Sequence, residues 1–396
     1  MQDLSAPVVA CMITYRVGSR NETSGLTGAT HFLEHLMFKG SEKYNKAKGT
    51  SVFNVLQDVG ARMNATTWMD RTNYYELLPA EHLDLALDIE SDRMRNALIL
   101  PEDVESERTV ILNEFDRGEN EPTRKLYHEV WTTAYSAHPY HHPTIGWRSD
   151  IENVTASDLR GFYDRFYWPR NATLSIVGSI DIDEALEMVS RRFSSIPEGP
   201  EPALVTTREP EQLGLRRTTV SQAGELGSLM MAFKAVSADD DDALALDVLS
   251  IILARGKTSR LYRALLETSL ASGVDASNTA LRDPGLFYVF AVLNPESDHA
   301  VIEEAVWNEI QSISREGVTQ AEVDSAIGQL QALEAYSRDG AFSIVQQLNE
   351  AIASGDWKLY TEYLNRLEAV TPDDIQRVAR SYLTDNRATI GKYIPA

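Results

Sequence analysis

Thr30-His31-Phe32-Leu33-Glu34-His35-Leu36-Met37-Phe38 is the stretch on which the reading of this chain turns. Its apolar members, Phe32, Leu33, Leu36 and Phe38, predict a buried helix, with Thr30 as its cap and Gly40 as its end. On such a helix His31 and His35 stand one turn apart, with β-carbons about 6 Å from each other. Glu34 is one step from His35 and lies close to the same face. Two imidazoles and a carboxylate on a buried helix need partners. A shared metal ion is an economical one.

The order H-x-x-E-H reverses H-E-x-x-H and is the inverzincin signature. A catalytic zinc site needs a third protein ligand and an open position for water. A carboxylate that orients the water supplies the base. The third ligand is expected from another helix, and Glu107-Arg108-Thr109-Val110-Ile111-Leu112-Asn113-Glu114 offers two carboxylates. Seven residues are nearly two turns, so Glu107 and Glu114 face one side. Spacing does not choose between them: one can ligate while the other supports. The single cysteine, Cys11, excludes an internal disulfide and a zinc site built on several thiolates.

Around this stretch the chain mixes strands and helices. Residues 7–16, 61–67, 73–78 and 173–177 read as strands, and residues 50–59, 81–97, 102–119, 157–167 and 182–193 as helices. The Pro- and Glu-rich segment 196–214 then reads as a linker. Beyond it the first order recurs. A strand at 229–233 precedes helices at 243–253 and 261–266, strands at 276–281 and 286–293, and helices at 299–314 and 319–336. The expectation is an α+β protein of two homologous α/β-sandwich domains, 1–195 and 215–396, that arose by internal duplication. The counterpart of the histidine helix, Ala243–Leu253, contains no histidine, so no metal is expected in the second domain.

A chain of 396 residues is comfortable for two domains. The net charge of −22 argues against nucleic acid as a partner. It keeps the protein soluble and favours cationic peptides. No run of eighteen apolar residues occurs, so no membrane span is expected. Met1–Ser5 does not read as a signal peptide, which makes the chain cytoplasmic as written. His138, His141 and His142 sit among prolines and read as a polar loop in preference to a second metal site.

Three longer motifs extend the pattern: His31-Phe-Leu-Glu34-His35-Leu-Met-Phe-Lys-Gly40, Gly60-Ala-Arg-Met-Asn64-Ala65-Thr66-Thr67 with Thr72-x-Tyr74-Tyr75, and Glu107-Arg108-x-Val110-Ile111-x-x-Glu114. With Pro143-x-x-Gly146 and Trp168-Pro169-x-Asn171, they resemble the pitrilysin (M16) peptidase family, in its bacterial and mitochondrial-processing-peptidase-like branch. The resemblance implies one zinc ion per chain on His31, His35 and Glu114, water activation by Glu34, and support from Glu107. It also implies an edge strand carrying Asn64, Ala65 and Thr66 that takes an extended substrate by strand addition. Two domains of one clam-shell half would enclose a chamber in which unfolded peptides or small protein segments are cut.

Two departures shape further expectations. Similar proteins begin with an extra strand before the segment at Pro7, so a start further upstream, carrying a leader to the periplasm or outside, is the second expectation for location. The region Gly285-Leu286-Phe287-Tyr288-Val289-Phe290 lacks the Arg that many active relatives use with a Tyr to grip substrate. The chain is therefore expected to pair, as a homodimer or with an M16-like chain that carries the Arg-Tyr pair. The rival reading is a catalytically silent binding or scaffold subunit. Such subunits usually lose zinc residues, and all four key residues are intact here.

Overall fold

The computed structural model describes residues 1–396. The apolar run after Pro7 forms strand β1 (Val8–Tyr15), followed by α1 (Ala29–Leu36), α2 (Val52–Asp58), β2 (Arg62–Thr67), β3 (Thr72–Pro79), α3 (Leu83–Asn96), α4 (Pro101–Glu119), α5 (Pro122–Ala134), α6 (Arg148–Asn153), α7 (Ala156–Phe166), β4 (Ala172–Gly178) and α8 (Ile182–Phe193). The second half runs β5 (Arg216–Gln222), β6 (Ser228–Lys234), α9 (Asp242–Ala254), a π-turn at Tyr262–Leu266, β7 (Ala271–Asn278), β8 (Leu286–Leu293), α10 (His299–Glu316), α11 (Gln320–Ser337), α12 (Ala341–Ser354), α13 (Lys358–Thr361), α14 (Tyr363–Leu367), α15 (Pro372–Tyr382) and β9 (Ala388–Pro395).

The first sheet has the order β2-β3-β1-β4 and is antiparallel throughout. β1 is apolar at nearly every position because both faces of the sheet are covered. Val9 and Cys11 pack on Leu83, Ala86 and Leu87 of α3 and Ala185 of α8. Ile13 and Tyr15 join Phe32, Leu33 and Leu36 of α1 and Leu159, Phe162 and Phe166 of α7. The alternate residues Ala10 and Met12 face the other way, onto Ala341, Ile344 and Val345 of α12.

The second sheet has the order β5-β9-β6-β8-β7, with β5 parallel to β9 and the other pairs antiparallel. Four of its strands repeat the first sheet's order, which is the signature expected of duplication. Leu229, Met231 and Phe233 of β6 enter a core with α9, α10 and α15. The opposite face, over β5, β6 and β9, takes α5. Gly391 on β9 makes this close approach feasible: a Cβ there would lie 2.3 Å from Val130 Cγ2. β5 has no full counterpart in the first sheet. Beside β4 only Gln2 forms a parallel bridge, to Gly178, and Asp3 N donates to Gly178 O at 2.8 Å.

The two compact units are discontinuous in sequence. One comprises Met1–Asp116, His142–Thr207 and Ser337–Ala353; the other comprises Arg117–His141, Arg208–Tyr336 and Ser354–Ala396. Relative to a division at residues 196–214, two segments are exchanged. Each sheet buries one face under helices of its own half and receives a helix from the other half on its second face. α5, α12, β5 and β9 were not expected from sequence. No helix is long and apolar enough to cross a membrane.

Candidate metal centre

The histidine helix begins differently from the expectation. Thr30 does not cap it. The N-cap is Gly28, at φ 84°, and Thr30 lies inside the first turn. The exposed N–H groups of that turn go to a side chain further back: Glu22 accepts from Gly28 N and Thr30 N, both at 2.8 Å. A buried carboxylate at a helix N-terminus satisfies donors that the helix cannot. Burial pushes the Glu22 carboxyl up to about 8 against the lowering effect of those bonds. Asp150 adds a second clamp, accepting from Gly25 N, Thr27 N and Thr27 Oγ1 at 3.1, 3.1 and 2.7 Å. Gly146 of the Pro143-x-x-Gly146 motif lets the two loops touch, since a Cβ there would lie 2.4 Å from Thr27 O.

α1 and α4 bring three donors together. His31 Nε2 lies 3.6 Å from Glu114 Oε2, and His35 Nε2 lies 3.9 Å from the same oxygen. The candidate ligand atoms of His31, His35 and Glu114 all fall within 4.8 Å of one another. A tetrahedral zinc ion with bonds of about 2.0–2.1 Å spaces its ligand atoms roughly 3.3–3.5 Å apart. The donor set therefore fits zinc in type and number, with its atoms standing slightly wider apart than a bound ion would draw them. Glu114 is the most open of the three, its side chain 38% exposed against 13% and 21% for the histidines.

Glu107 and Glu114 take different places. Glu107 is buried and its Oε2 accepts from His35 Nδ1 at 2.9 Å. That bond fixes the ring so that Nε2 is left for the metal side. Lys39 forms an ion pair with the same carboxylate. Burial raises the Glu107 carboxyl, but the hydrogen bonds from Lys39 and His35 outweigh it and hold it below the usual range.

Glu34 accepts from the Thr67 hydroxyl. Burial, opposed first by that bond, pushes its carboxyl upward. Thr67 is the last residue of β2, so this contact links the histidine helix to the edge strand. On β2 the three residues singled out earlier do not share one face. Asn64 and Thr66 are exposed, whereas Ala65 is buried in the core with Tyr74. Thr67, Lys39 and Glu22 were missed from sequence. Thr67 could have been found by extending the Asn64-Ala65-Thr66 run by one residue.

A buried charge cluster joins α3 to β3. Arg93 donates from Nε to Glu90 Oε2 at 2.9 Å, pairs again with Glu90 through Nη2, and reaches Glu76 Oε1 at 3.1 Å. Its guanidinium stacks over Tyr74 and Phe38, 4.6 and 5.3 Å from the ring centres. Burial, and next the Glu90 charge, push Glu76 well above the ordinary carboxylate range.

The other histidines go to separate partners. His138 Nε2 is 3.0 Å from Asp283 Oδ2, His141 Nδ1 is 3.0 Å from His138 O, and His142 Nδ1 is 3.7 Å from Glu22 Oε2. They do not converge on a metal site.

The chain resembles known proteins along nearly its whole length. Residues 1–147 match the family described as Insulinase (Peptidase family M16), and residues 153–330 match the Peptidase M16 inactive domain. The chain is 29% identical over 387 residues to the zinc protease PqqE of Helicobacter pylori, covering 96% of this chain and 86% of that protein. It is 25% identical over 405 residues to a probable mitochondrial-processing peptidase subunit beta of Arabidopsis thaliana, covering 99% and 75%. The crystal structure of a protease from Helicobacter pylori superimposes with a TM-score of 0.93 at 28% identity, covering 99% of this chain and 95% of that one.

Proposed function

The chain belongs to peptidase family M16, and from that premise we propose that it is a zinc-dependent endopeptidase cutting unfolded peptides or small protein segments. The observation that carries the reading is the convergence of ligand atoms of His31, His35 and Glu114 within 4.8 Å of one another. These residues would hold one zinc ion per chain, with Glu107 orienting His35. Zinc in such a three-ligand site supplies Lewis-acid polarisation and lowers the pKa of water.

The chain's own residues account for the rest. Glu34 accepts the proton of the attacking water and returns it to the departing amine. Its buried setting and upward-shifted carboxyl suit a group that must take and then give a proton. The Thr67 hydroxyl holds Glu34 against the end of β2. An extended peptide adds to the free edge of β2 along Asn64, Ala65 and Thr66, so that its backbone is read more than its side chains. The charge of −22 favours cationic peptides. Lacking the Arg expected at Gly285–Phe290, the chain acts as the zinc-bearing member of a dimer, with a second M16-like chain supplying the Arg-Tyr pair.

The test is zinc content together with cleavage of a quenched fluorescent peptide, with and without chelator, for the wild type and Glu34→Gln. The expected result is zinc in both proteins and chelator-sensitive cleavage by the wild type, not by Glu34→Gln, once the Arg-Tyr chain is present; full cleavage by the wild type alone would count against the division between two chains. If the chain alone is silent, adding the Arg-Tyr chain should restore cleavage. Full activity in Glu34→Gln would remove that residue from its role, and a protein without zinc would overturn the reading.

A further inference from the structure

Arg71 stands in the tight turn between β2 and β3 and is 9% exposed. Its guanidinium is shared between two elements. Nη1 donates to Thr66 O at 2.9 Å and to Thr66 Oγ1 at 2.8 Å, on the edge strand. Nε donates to Glu350 Oε2 at 3.1 Å, and Nη2 pairs with the other oxygen of the same carboxylate. Glu350 lies on α12, a helix encoded 279 residues away. Four of the five N–H groups of a guanidinium are thus used, in a planar fork that an ammonium group cannot reproduce.

α12 is itself firmly seated on the first sheet. Val345 is fully buried against β1 and β4, and the buried Asn349 accepts from Thr14 Oγ1 at 2.6 Å and Ser175 Oγ at 3.3 Å. Glu350 follows Asn349 directly, so the carboxylate that receives Arg71 is fixed by a packed helix. The next residue along β2 from Thr66 is Thr67, which binds Glu34. A continuous chain of contacts therefore runs from α12 through Glu350, Arg71, Thr66 and Thr67 to Glu34.

We infer that Arg71 is a positioning residue for peptide hydrolysis, held by Glu350 and setting the end of β2 against Glu34. This rests on the peptidase reading proposed above. Arg71 hydrogen-bonds to Thr66 and Glu350 and not to His31, His35 or Glu114. It fixes the strand that orients both the peptide and the base. Geometric slack at such a place is costly, since a shift of about 1 Å can lower a rate by 10²-fold.

The experiment compares wild type, Arg71→Lys, Arg71→Met, Glu350→Gln and the double variant Arg71→Met/Glu350→Gln. Three quantities are read: zinc per chain, kcat and KM on a quenched fluorescent peptide, and amide hydrogen exchange of residues 62–67 in the zinc-loaded protein without peptide. All variants should keep zinc. Arg71→Met should lose at least tenfold in kcat/KM per zinc, through both a lower kcat and a higher KM, with β2 amides exchanging about tenfold faster. Arg71→Lys should not rescue it. Glu350→Gln should show a smaller loss of the same kind, and the double variant should match Arg71→Met, because both act through one contact. Unchanged exchange in β2, or losses in rate that merely follow lost zinc, would overturn the inference. If the wild type binds zinc yet cuts no peptide under any condition, the peptidase reading fails, while the exchange rates still decide whether Arg71 holds the strand.

Discussion

Replacing Glu76 by Gln should change how stability depends on pH and do little else. Arg93 carries one positive charge and faces two carboxylates, all three side chains being at most 1% exposed. Glu90 takes two of the guanidinium contacts and Glu76 takes one. An extra buried charge costs several kcal/mol, so the cluster is most stable with a proton on Glu76. Its folded pKa is raised from 4.5. Stability from this group is complete below that unfolded value and is lost as pH rises toward the folded one. Over that window the loss is about 1.4 kcal/mol per pH unit, because the unfolded chain has released a proton that the folded chain retains. Gln is neutral at every pH and can keep its oxygen on Arg93. The expected result, from urea unfolding between pH 5.5 and 7.5, is that Glu76→Gln is flatter with pH than wild type and at least as stable at the upper end. Arg93→Met should instead cost about 3–5 kcal/mol by leaving the buried Glu90 without its cation. The same pH slope in Glu76→Gln as in wild type, or a loss as large as that of Arg93→Met, would refute this account.

Glu107→Gln should weaken zinc binding about 10–100-fold in a chelator competition, since the charge that orients His35 is removed. Glu22, with its carboxyl near 8, adds another group whose stabilising contribution falls as pH rises from 4.5 toward 8. The difference in unfolding free energy between wild type and Glu22→Gln should therefore vary with pH across that window, and a constant difference would contradict it. Gly391→Ala should destabilise the protein by about 1–3 kcal/mol, with partial rescue by Val130→Ala, as read by thermal unfolding. Failure of the rescue would show that Val130 is not what the new methyl group meets.

The site was legible in sequence to the extent that it is local. His31, Glu34 and His35 share one helical turn, so their juxtaposition follows from helical geometry alone. Glu107 and Glu114 were a pair on one face, and only contact across helices separates them: one sits on His35 Nδ1, the other opposite both Nε2 atoms. The repeated run of strand, two helices, two strands and two helices could be read because turns and apolar runs recur in both halves. What failed depends on distant partners. Thr30 was the nearest polar residue to a helix start, whereas the cap comes from Glu22 across a loop. The burial of β1 on both faces is consistent with its nearly continuous apolar run, but nothing local to residues 8–15 identifies Ile344 and Val345 as what covers it.

The exchange of α5 and α12 has a consequence for how the molecule comes into being. On a ribosome the first sheet, the histidine helix and the edge strand all emerge early, yet one face of that sheet stays uncovered until residues 341–354 have been made. The nascent first half can thus gather its metal ligands without having Glu350 to brace Arg71 and β2. Completion of the braced edge strand is deferred to the last part of synthesis. On the peptidase reading proposed above, the brace beside Glu34 is the last part of the site to form, after most of the chain has already been made.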